Sequence, residues 1–156
     1  MTTSETGGLV TDMAGLREQV GSHIGYTEWR EMTQELVNQF ADTTDDHNFI
    51  HVDVEKAKAT PFGGTIAHGY FTLSLVAPTI LQLMNVTDAL MVVNYGLDKV
   101  RFPAPLPVGK RWRGGLQIAE LSDVSGGVQV KLLATIEVEG SEKPACFAES
   151  LMRVYG

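Results

Sequence analysis

Two short segments of the chain carry the residue types that proton-transfer chemistry requires. The first, from Ala41 to His51, crowds acids, an amide and imidazoles around a predicted polar turn. The second, residues 63–69, is glycine-rich and leads directly into an apolar segment. An acid and an imidazole can activate a water held between them, and the free N–H groups at a helix start can face a developing negative charge. These residues therefore predict a site that adds water to a polarised carbonyl compound, or hydrolyses it.

The first segment also has two alternative explanations. Asp45, Asp46 and Asn48 are residue types that commonly form turns and caps, and the imidazoles fit a solvated loop. Alternatively, His47 and His51 are four residues apart and would share a helix face, with Asp46 and Asp53 as oxygen donors to a metal ion. The turn formers argue against a helix here, and Asn48 replaces the glutamate of the zinc-binding HExxH pattern. We therefore expect no metal at this site.

The apolar segment after the glycines predicts a buried helix. Residues Ala67 to Met84 have no continuous polar stripe, and a helix that is apolar nearly all round must be surrounded by protein. Pro78 should kink this helix or mark the start of a new turn.

Helices and strands are predicted in different halves of the chain. In the first half, the patterns and caps predict helices over residues 13–20, 34–44 and 54–59, and a strand over 26–32. In the second half, apolar and polar residues alternate over 128–139, and further strands fit 90–102, 111–121 and 145–155, with glycine turns at 126–127 and 140–141.

This order of elements is typical of an α+β fold rather than of alternating α/β units. A curved antiparallel sheet wrapped around one apolar helix, the hot-dog arrangement, would bury both. We predict that residues 13–156 form this single domain. Residues 1–12 are small, polar and glycine-containing, and we expect a frayed tail there.

Composition places the chain among soluble single-domain proteins. Its 156 residues include 12 Lys and Arg against 19 Asp and Glu, and the net charge of −7 argues against nucleic acid or an anionic membrane as a partner. The first sixteen residues contain no Lys or Arg and no apolar run, so we expect no secretory signal and a cytoplasmic protein. The single cysteine, Cys146, lies in a predicted strand and is expected to be a buried structural residue.

Taken together, the motifs resemble those of a known family. Residues 46–51 (DHNFIH) and 66–69 (IAHG) resemble the hydratase motif of the R-specific enoyl-CoA hydratases, also called MaoC-like dehydratases. In that motif, Gly-Asp-x-Asn-Pro-aliphatic-His precedes a His-Gly pair. Asp45 replaces the glycine and Phe49 replaces the proline, which resembles the subgroup of nodulation protein N and actinobacterial 3-hydroxyacyl-thioester dehydratases. The resemblance covers most of the chain from about Tyr26 onward.

The resemblance implies a reaction and a role for each motif residue. The reaction is reversible addition of water to a trans-2-enoyl-CoA thioester, giving the (R)-3-hydroxyacyl product, with no metal or redox cofactor. Asp46 and His51 match the catalytic pair that holds the water, and the sequence does not indicate which is the formal base. Gly69 matches the residue whose N–H receives the thioester oxygen. Asn48 and His68 have supporting roles, Asn48 in the turn between the pair and His68 beside it or as a helix cap.

Expectations about substrate contacts and partners are coarser. Tyr70, Phe71 and Leu75 could line an acyl pocket, with core packing as the default role for each. Lys99 and Arg101 could meet the phosphates of coenzyme A, or be solvated strand charges. The resemblance implies a homodimer, as for family members of this length. An exposed strand at the edge of a sheet can also pair with another chain, so we predict a homodimer.

Two other functions remain open at this point. A hot-dog thioesterase would hydrolyse the thioester itself. Proteins that resemble these enzymes often have an acidic residue on or beside the central helix. No Asp or Glu occurs between Lys56 and Thr87, which disfavours a thioesterase. A catalytically silent acyl-thioester-binding module is the third possibility, and the intact Asp46 and His51 pair weighs against it.

Overall fold

The computed structural model describes residues 2–3 and 7–156, which form helices and strands in the following order. The helices are α1 (Met13–Glu18), α2 (Gln34–Thr44), α3 (Phe49–Val52), α4 (Val54–Ala57), α5 (Gly69–Ser74) and α6 (Val76–Leu83). The strands are β1 (Thr2–Thr3), β2 (Leu9–Thr11), β3 (His23–Tyr26), β4 (Arg30–Glu31), β5 (Met84–Val86), β6 (Met91–Arg101), β7 (Arg111–Val124), β8 (Gly127–Val138) and β9 (Cys146–Tyr155).

One antiparallel sheet occupies the C-terminal half. Its main strands lie in the order β3–β7–β8–β9–β6, and β4 pairs with another part of β7. Along β8 and β9, buried residues alternate without interruption with partly exposed ones, because successive side chains of a strand point to opposite faces. Leu133, an apolar residue that breaks the polar half of the pattern in β8, lies on the less buried face. The strand predicted from this alternation is confirmed.

The central apolar segment packs on the inner face of this sheet as two helices rather than one. They meet at Leu75, whose N–H lies 3.2 Å from the carbonyl oxygens of Phe71 and Thr72. Pro78 has no N–H to donate to the carbonyl of Ser74, and its ring crowds that carbonyl. The helix therefore breaks one turn before the proline instead of at it.

The second helix of the segment approaches the sheet closely at a glycine. A Cβ atom on Gly114 of β7 would lie 2.0 Å from the Thr79 hydroxyl oxygen, so a larger residue would push α6 away. The buried Thr79 hydroxyl donates to the Leu75 carbonyl at 2.8 Å. An antiparallel sheet wrapped around a buried apolar helical segment is the predicted α+β hot-dog fold.

The predicted tail over residues 1–12 is wrong for its last part. Leu9–Thr11 forms β2, which pairs in parallel with β5, and Gly8 is buried against the backbone of Leu83. This pairing satisfies backbone groups that a tail would leave to water. Residues Thr2–Thr3 pair with β2, whereas residues 1 and 4–6 of the predicted tail lie outside the described residues.

The predicted strand over residues 26–32 is divided in two. The chain leaves the regular ladder after Tyr26, where Thr27 takes over the pairing with β7. The Thr27 N–H donates to the Gly114 carbonyl at 2.8 Å, and its hydroxyl accepts from the Gly114 N–H at 2.9 Å. Pairing resumes in β4, which leads into α2.

Candidate active site

The end of α2 places Asp46. Thr33 caps the start of this helix, as predicted, and accepts from the Leu36 N–H at 3.2 Å. The helix ends at Asp45, whose φ of 59° lies in the left-handed region. Glycine is favoured there and Asp is tolerated, which explains why Asp45 can stand where the hydratase motif has glycine. The Asp46 carboxylate then accepts from the Asn48 N–H at 3.3 Å.

A short helix that the sequence analysis did not predict carries His51. The Asn48 side chain caps this helix, α3, by accepting from the Ile50 N–H at 3.4 Å. The polar residues that predicted a turn therefore also begin a helix, because Asp and Asn favour turns and N-caps for the same reason. The helix turns the His51 ring into the protein interior, where it is buried.

One nitrogen of the buried His51 ring is engaged in a hydrogen bond, and the other can accept a proton. Its Nδ1 lies 2.7 Å from the carbonyl oxygen of Ile66, and because a carbonyl only accepts, Nδ1 carries the proton in the neutral ring. Burial lowers the pKa of His51 below its ordinary value of 6.5; nearby His68 lowers it further, while the Ile66 carbonyl and Asp46 act in the opposite direction. His51 is therefore neutral at pH 7, with a lone pair on Nε2.

His68 contacts both members of this pair. Its Nε2 lies 2.9 Å from the main-chain oxygen of Asp46. Its ring stacks on that of His51, with centroids 3.8 Å apart and planes at 25°. His68 occupies the N-cap position of α5, as the sequence suggested, but its side chain makes no cap bond there and contacts the pair instead.

Asp46, His51 and His68 form a cluster in which one donor atom from each residue lies within 4.8 Å of the others. Two imidazoles bound to one tetrahedral zinc ion would have ring centroids about 5 Å apart. The rings here are stacked at 3.8 Å. This arrangement suits a hydrogen-bonded water and proton transfer better than a metal ion, and the absence of a metal stays a prediction.

The other chemical groups singled out from the sequence lie apart from this cluster. His47 turns to Asp42, with Nε2 and the carboxylate 2.8 Å apart, and this contact raises the pKa of His47. Asp53 caps α4 by accepting from the Lys56 N–H at 2.9 Å. Cys146 is buried, and burial raises the pKa of its thiol to about 11, so it is no nucleophile at neutral pH.

Gly69 begins α5 next to a pocket. As the first residue of the helix, its N–H has no partner within that helix. A pocket of about 370 Å³ borders Gly69 and is lined mostly by apolar residues, among them Phe62, Phe102, Pro103 and Pro105. A donor N–H at the edge of an apolar pocket is suited to receive a carbonyl oxygen from a bound ligand.

The five residues proposed for substrate contacts lie in different surroundings. Phe71 stacks on Phe40, with ring centroids 4.8 Å apart, and Phe40 contacts His68. Leu75 is buried in the core, whereas Tyr70 is 74% exposed. The remaining two, Lys99 and Arg101, are exposed on β6. Of the five, Phe71 alone is linked to the cluster by ring contacts, and the link is indirect, through Phe40.

Sequence analysis missed the residues that fix the main chain around His51. The Gln34 amide donates to the His51 carbonyl at 2.7 Å and accepts from the Thr65 hydroxyl at 2.6 Å. These side chains tie α2 and the glycine-rich loop to α3. No local signal marks Gln34, because a polar residue in the first turn of a helix is ordinary. The contact of the Ile66 carbonyl with His51 was also not predictable, because the apolar side chain of Ile66 does not indicate where its backbone oxygen points.

Comparison with known proteins identifies the family of this chain. The family model described as "MaoC like domain" matches residues 16–139. The chain belongs to the MaoC-like dehydratase family. It is 49% identical over 142 residues to 3-hydroxyacyl-thioester dehydratase Z of Mycobacterium tuberculosis (strain ATCC 25618 / H37Rv), covering 90% of this chain and 94% of the relative. It is 39% identical over 139 residues to nodulation protein N of Rhizobium leguminosarum bv. viciae, covering 87% and 86%.

A solved structure shows the same fold for this MaoC-like chain. The (R)-hydratase from A. caviae involved in PHA biosynthesis has a TM-score of 0.70 and 22% identity, covering 85% of this chain and 94% of that one. The family resemblance drawn from the motifs is confirmed, and relatives named dehydratases support a lyase role. In the described part of the chain, no helix is long and apolar enough to cross a membrane.

Proposed function

We propose that this MaoC-like protein catalyses reversible hydration of trans-2-enoyl-CoA thioesters to (R)-3-hydroxyacyl-CoA. The observation that carries the proposal is the cluster in which the Asp46 carboxylate meets a buried, neutral His51 with a free Nε2. The dehydratase names of its relatives support this choice of reaction.

The geometry supports a separate role in the reaction for each of Asp46, His51 and Gly69. A water held by Asp46 and His51 loses a proton to His51 Nε2 as its oxygen bonds to C3 of the substrate. The electrons of the double bond move through C2 to the thioester oxygen, where the Gly69 N–H stabilises the enolate. The proton then passes from the pair to C2, which restores the carbonyl and the neutral imidazole. The net change is addition of one water, and no metal or redox cofactor takes part.

Substrate binding follows from the pocket beside Gly69. We place the pantetheine arm of the thioester between Phe62 and Phe102, since this brings the carbonyl oxygen to the Gly69 N–H. Arg101 directly precedes Phe102, and Lys99 lies on the same strand, so both cations are near enough to this end of the sheet to meet phosphates of coenzyme A.

We expect kcat/KM to fall on acidification through an apparent pKa below 6.5. The physical reason is that burial lowers the pKa of His51, and only the neutral ring can accept the proton of water. At pH values between the lowered pKa of His51 and 6.5, this residue binds a proton more readily in the unfolded chain than in the folded one. The free energy of unfolding therefore also decreases as the pH falls through this range. Rate and urea-unfolding measurements at the same pH values separate the two effects; an acid limb centred above 6.5 contradicts the assignment.

We also propose that the protein is a homodimer paired through β6. This strand is at the edge of the sheet, and ten of its eleven residues are exposed in the single chain, including the apolar Met91, Val92 and Leu97. An exposed apolar edge strand is a template for pairing with another chain. Light scattering at micromolar concentration is expected to give twice the chain mass, and a monomer there contradicts the pairing.

The proposed activity is tested by two assays run side by side. One follows the loss of enoyl-thioester absorbance with crotonyl-CoA, and the other follows free thiol released from a saturated acyl-CoA. The proposal predicts turnover in the first assay alone. Thiol release without hydration indicates a thioesterase. No activity in either assay, with longer enoyl-CoAs also tried in the first, indicates a binding module.

A further inference from the structure

The structure assigns to His68 the role of a positioning residue that sets both proposed catalytic side chains at once, an inference that rests on the proposed function. His68 is 2% exposed, and its side chain makes a different contact with each of the two proposed catalytic residues. The Nε2–H group holds the main chain of Asp46, and the ring face supports the ring of His51.

The contact with Asp46 fixes the turn that carries the carboxylate. This turn follows directly on the left-handed Asp45, and Asp46 is exposed to solvent. The His68 hydrogen bond anchors its main chain from the protein interior at 2.9 Å. Because His68 immediately precedes Gly69, the same bond ties the carboxylate to the residue whose N–H is proposed to receive the thioester oxygen.

The ring contact limits the motion of His51. The Ile66 carbonyl holds Nδ1 of His51, but one hydrogen bond leaves the ring free to rotate about that contact. A row of rings stops this rotation: Phe71 stacks on Phe40, Phe40 contacts His68 at 4.9 Å, and His68 stacks on His51 at 3.8 Å. The row extends from the central helix to the proposed base and keeps its Nε2 aimed at one point.

The two ring nitrogens of His68 have different surroundings. The carbonyl of Asp46 only accepts, so Nε2 of His68 carries the proton. Its Nδ1 is buried without a hydrogen-bond partner among the described residues. A buried nitrogen without a partner costs free energy, so packing alone would favour an apolar ring at this position.

Only histidine supplies both contacts, which gives a pair of informative substitutions. Phenylalanine would fill the stack without the donor, and glutamine would offer an N–H donor without the ring. If His68 served packing alone, phenylalanine would replace it and remove the unpartnered nitrogen. If it served only as a donor, glutamine would be sufficient.

The experiment compares wild type, His68→Phe, His68→Gln and the control His23→Gln, which changes an exposed histidine on β3. We expect kcat for hydration of crotonyl-CoA to fall about 10- to 100-fold in both His68 variants. KM should change less than about threefold, since substrate contacts are kept. In His68→Gln the acid limb of the pH profile should also move up towards 6.5, because His51 loses the stacked neighbour that lowers its pKa. The control should match wild type.

A second measurement does not depend on activity. Nitrogen-15 spectra of the imidazole rings, in a chain with 4 histidines, should show His51 protonated at Nδ1 and His68 at Nε2 in wild type. In His68→Gln the His51 ring should show mixed tautomers. Unchanged kcat in both variants, or an unchanged His51 ring, overturns the inference, as does a wild-type His68 protonated at Nδ1. Correct tautomers in an inactive wild type would instead contradict the proposed function.

Discussion

The Asp46→Asn variant is expected to lose at least about a thousandfold in kcat for hydration of crotonyl-CoA, while keeping its fold. An amide oxygen can still accept from the Asn48 N–H, so the turn survives the change. The substitution removes the carboxylate that is proposed to help hold the water beside His51. His51→Gln should give a similar loss, because an amide offers no basic nitrogen. Rates and thermal unfolding are measured on both variants.

The matched control is Asp45→Asn, the same change one position earlier. Asn tolerates the left-handed backbone found there, so activity should stay within about twofold of wild type. The double variant of Asp46 and His51 should be little worse than either single variant, since residues that act as a unit are not additive. A loss below tenfold in Asp46→Asn, or an equal loss in the control, contradicts the assignment.

Gly69→Ala is expected to lower kcat/KM about a hundredfold or more without loss of stability. Gly69 does not have a left-handed backbone, so alanine is not strained, and its Cβ would lie 3.4 Å from the Phe102 ring, an ordinary contact. Alanine is also the better helix former, worth up to about 1 kcal/mol inside a helix. The methyl group would nevertheless occupy space against the Phe102 ring at the border of the pocket, where the thioester must approach.

Gly64→Ala is the control for this prediction. Gly64 lies in the preceding loop and is not left-handed, and a Cβ atom added there would have no atom within 4 Å among the described residues beyond its two chain neighbours. Its substitution should change neither kcat/KM nor the unfolding temperature. Full activity in Gly69→Ala would show that the Gly69 N–H does not receive the substrate, and a parallel loss of stability would make the kinetic result uninformative about the oxyanion.

The fold was largely predictable because its strongest signals are local. The uninterrupted alternation over β8 and the cap at Thr33 depend on neighbouring residues and were found from them. The pairing of β2 with β5 was missed because it joins residues 9–11 to residues 84–86, far apart in the chain. The break at Leu75 was misplaced because a proline acts on the carbonyl four residues before it.

The candidate site was predictable where side-chain type carries the chemistry. Asp46, His51 and Gly69 were chosen from a motif, and the structure places Asp46 and His51 in one cluster and Gly69 beside a pocket. The helix around His51 was not predicted, because an N-cap asparagine and a turn asparagine look alike in sequence. The bond from His68 to the Asp46 carbonyl was also unpredictable, since side-chain patterns do not indicate which backbone oxygens face the interior.

The central claim is tested most directly by the configuration at C3 of the product that wild type forms from crotonyl-CoA, with Asp46→Asn treated in parallel. The account predicts (R)-3-hydroxybutyryl-CoA, with the thioester intact, from wild type and almost none from the variant. The (S) product, a racemic mixture or free coenzyme A from wild type, or equal product from the variant, would contradict it.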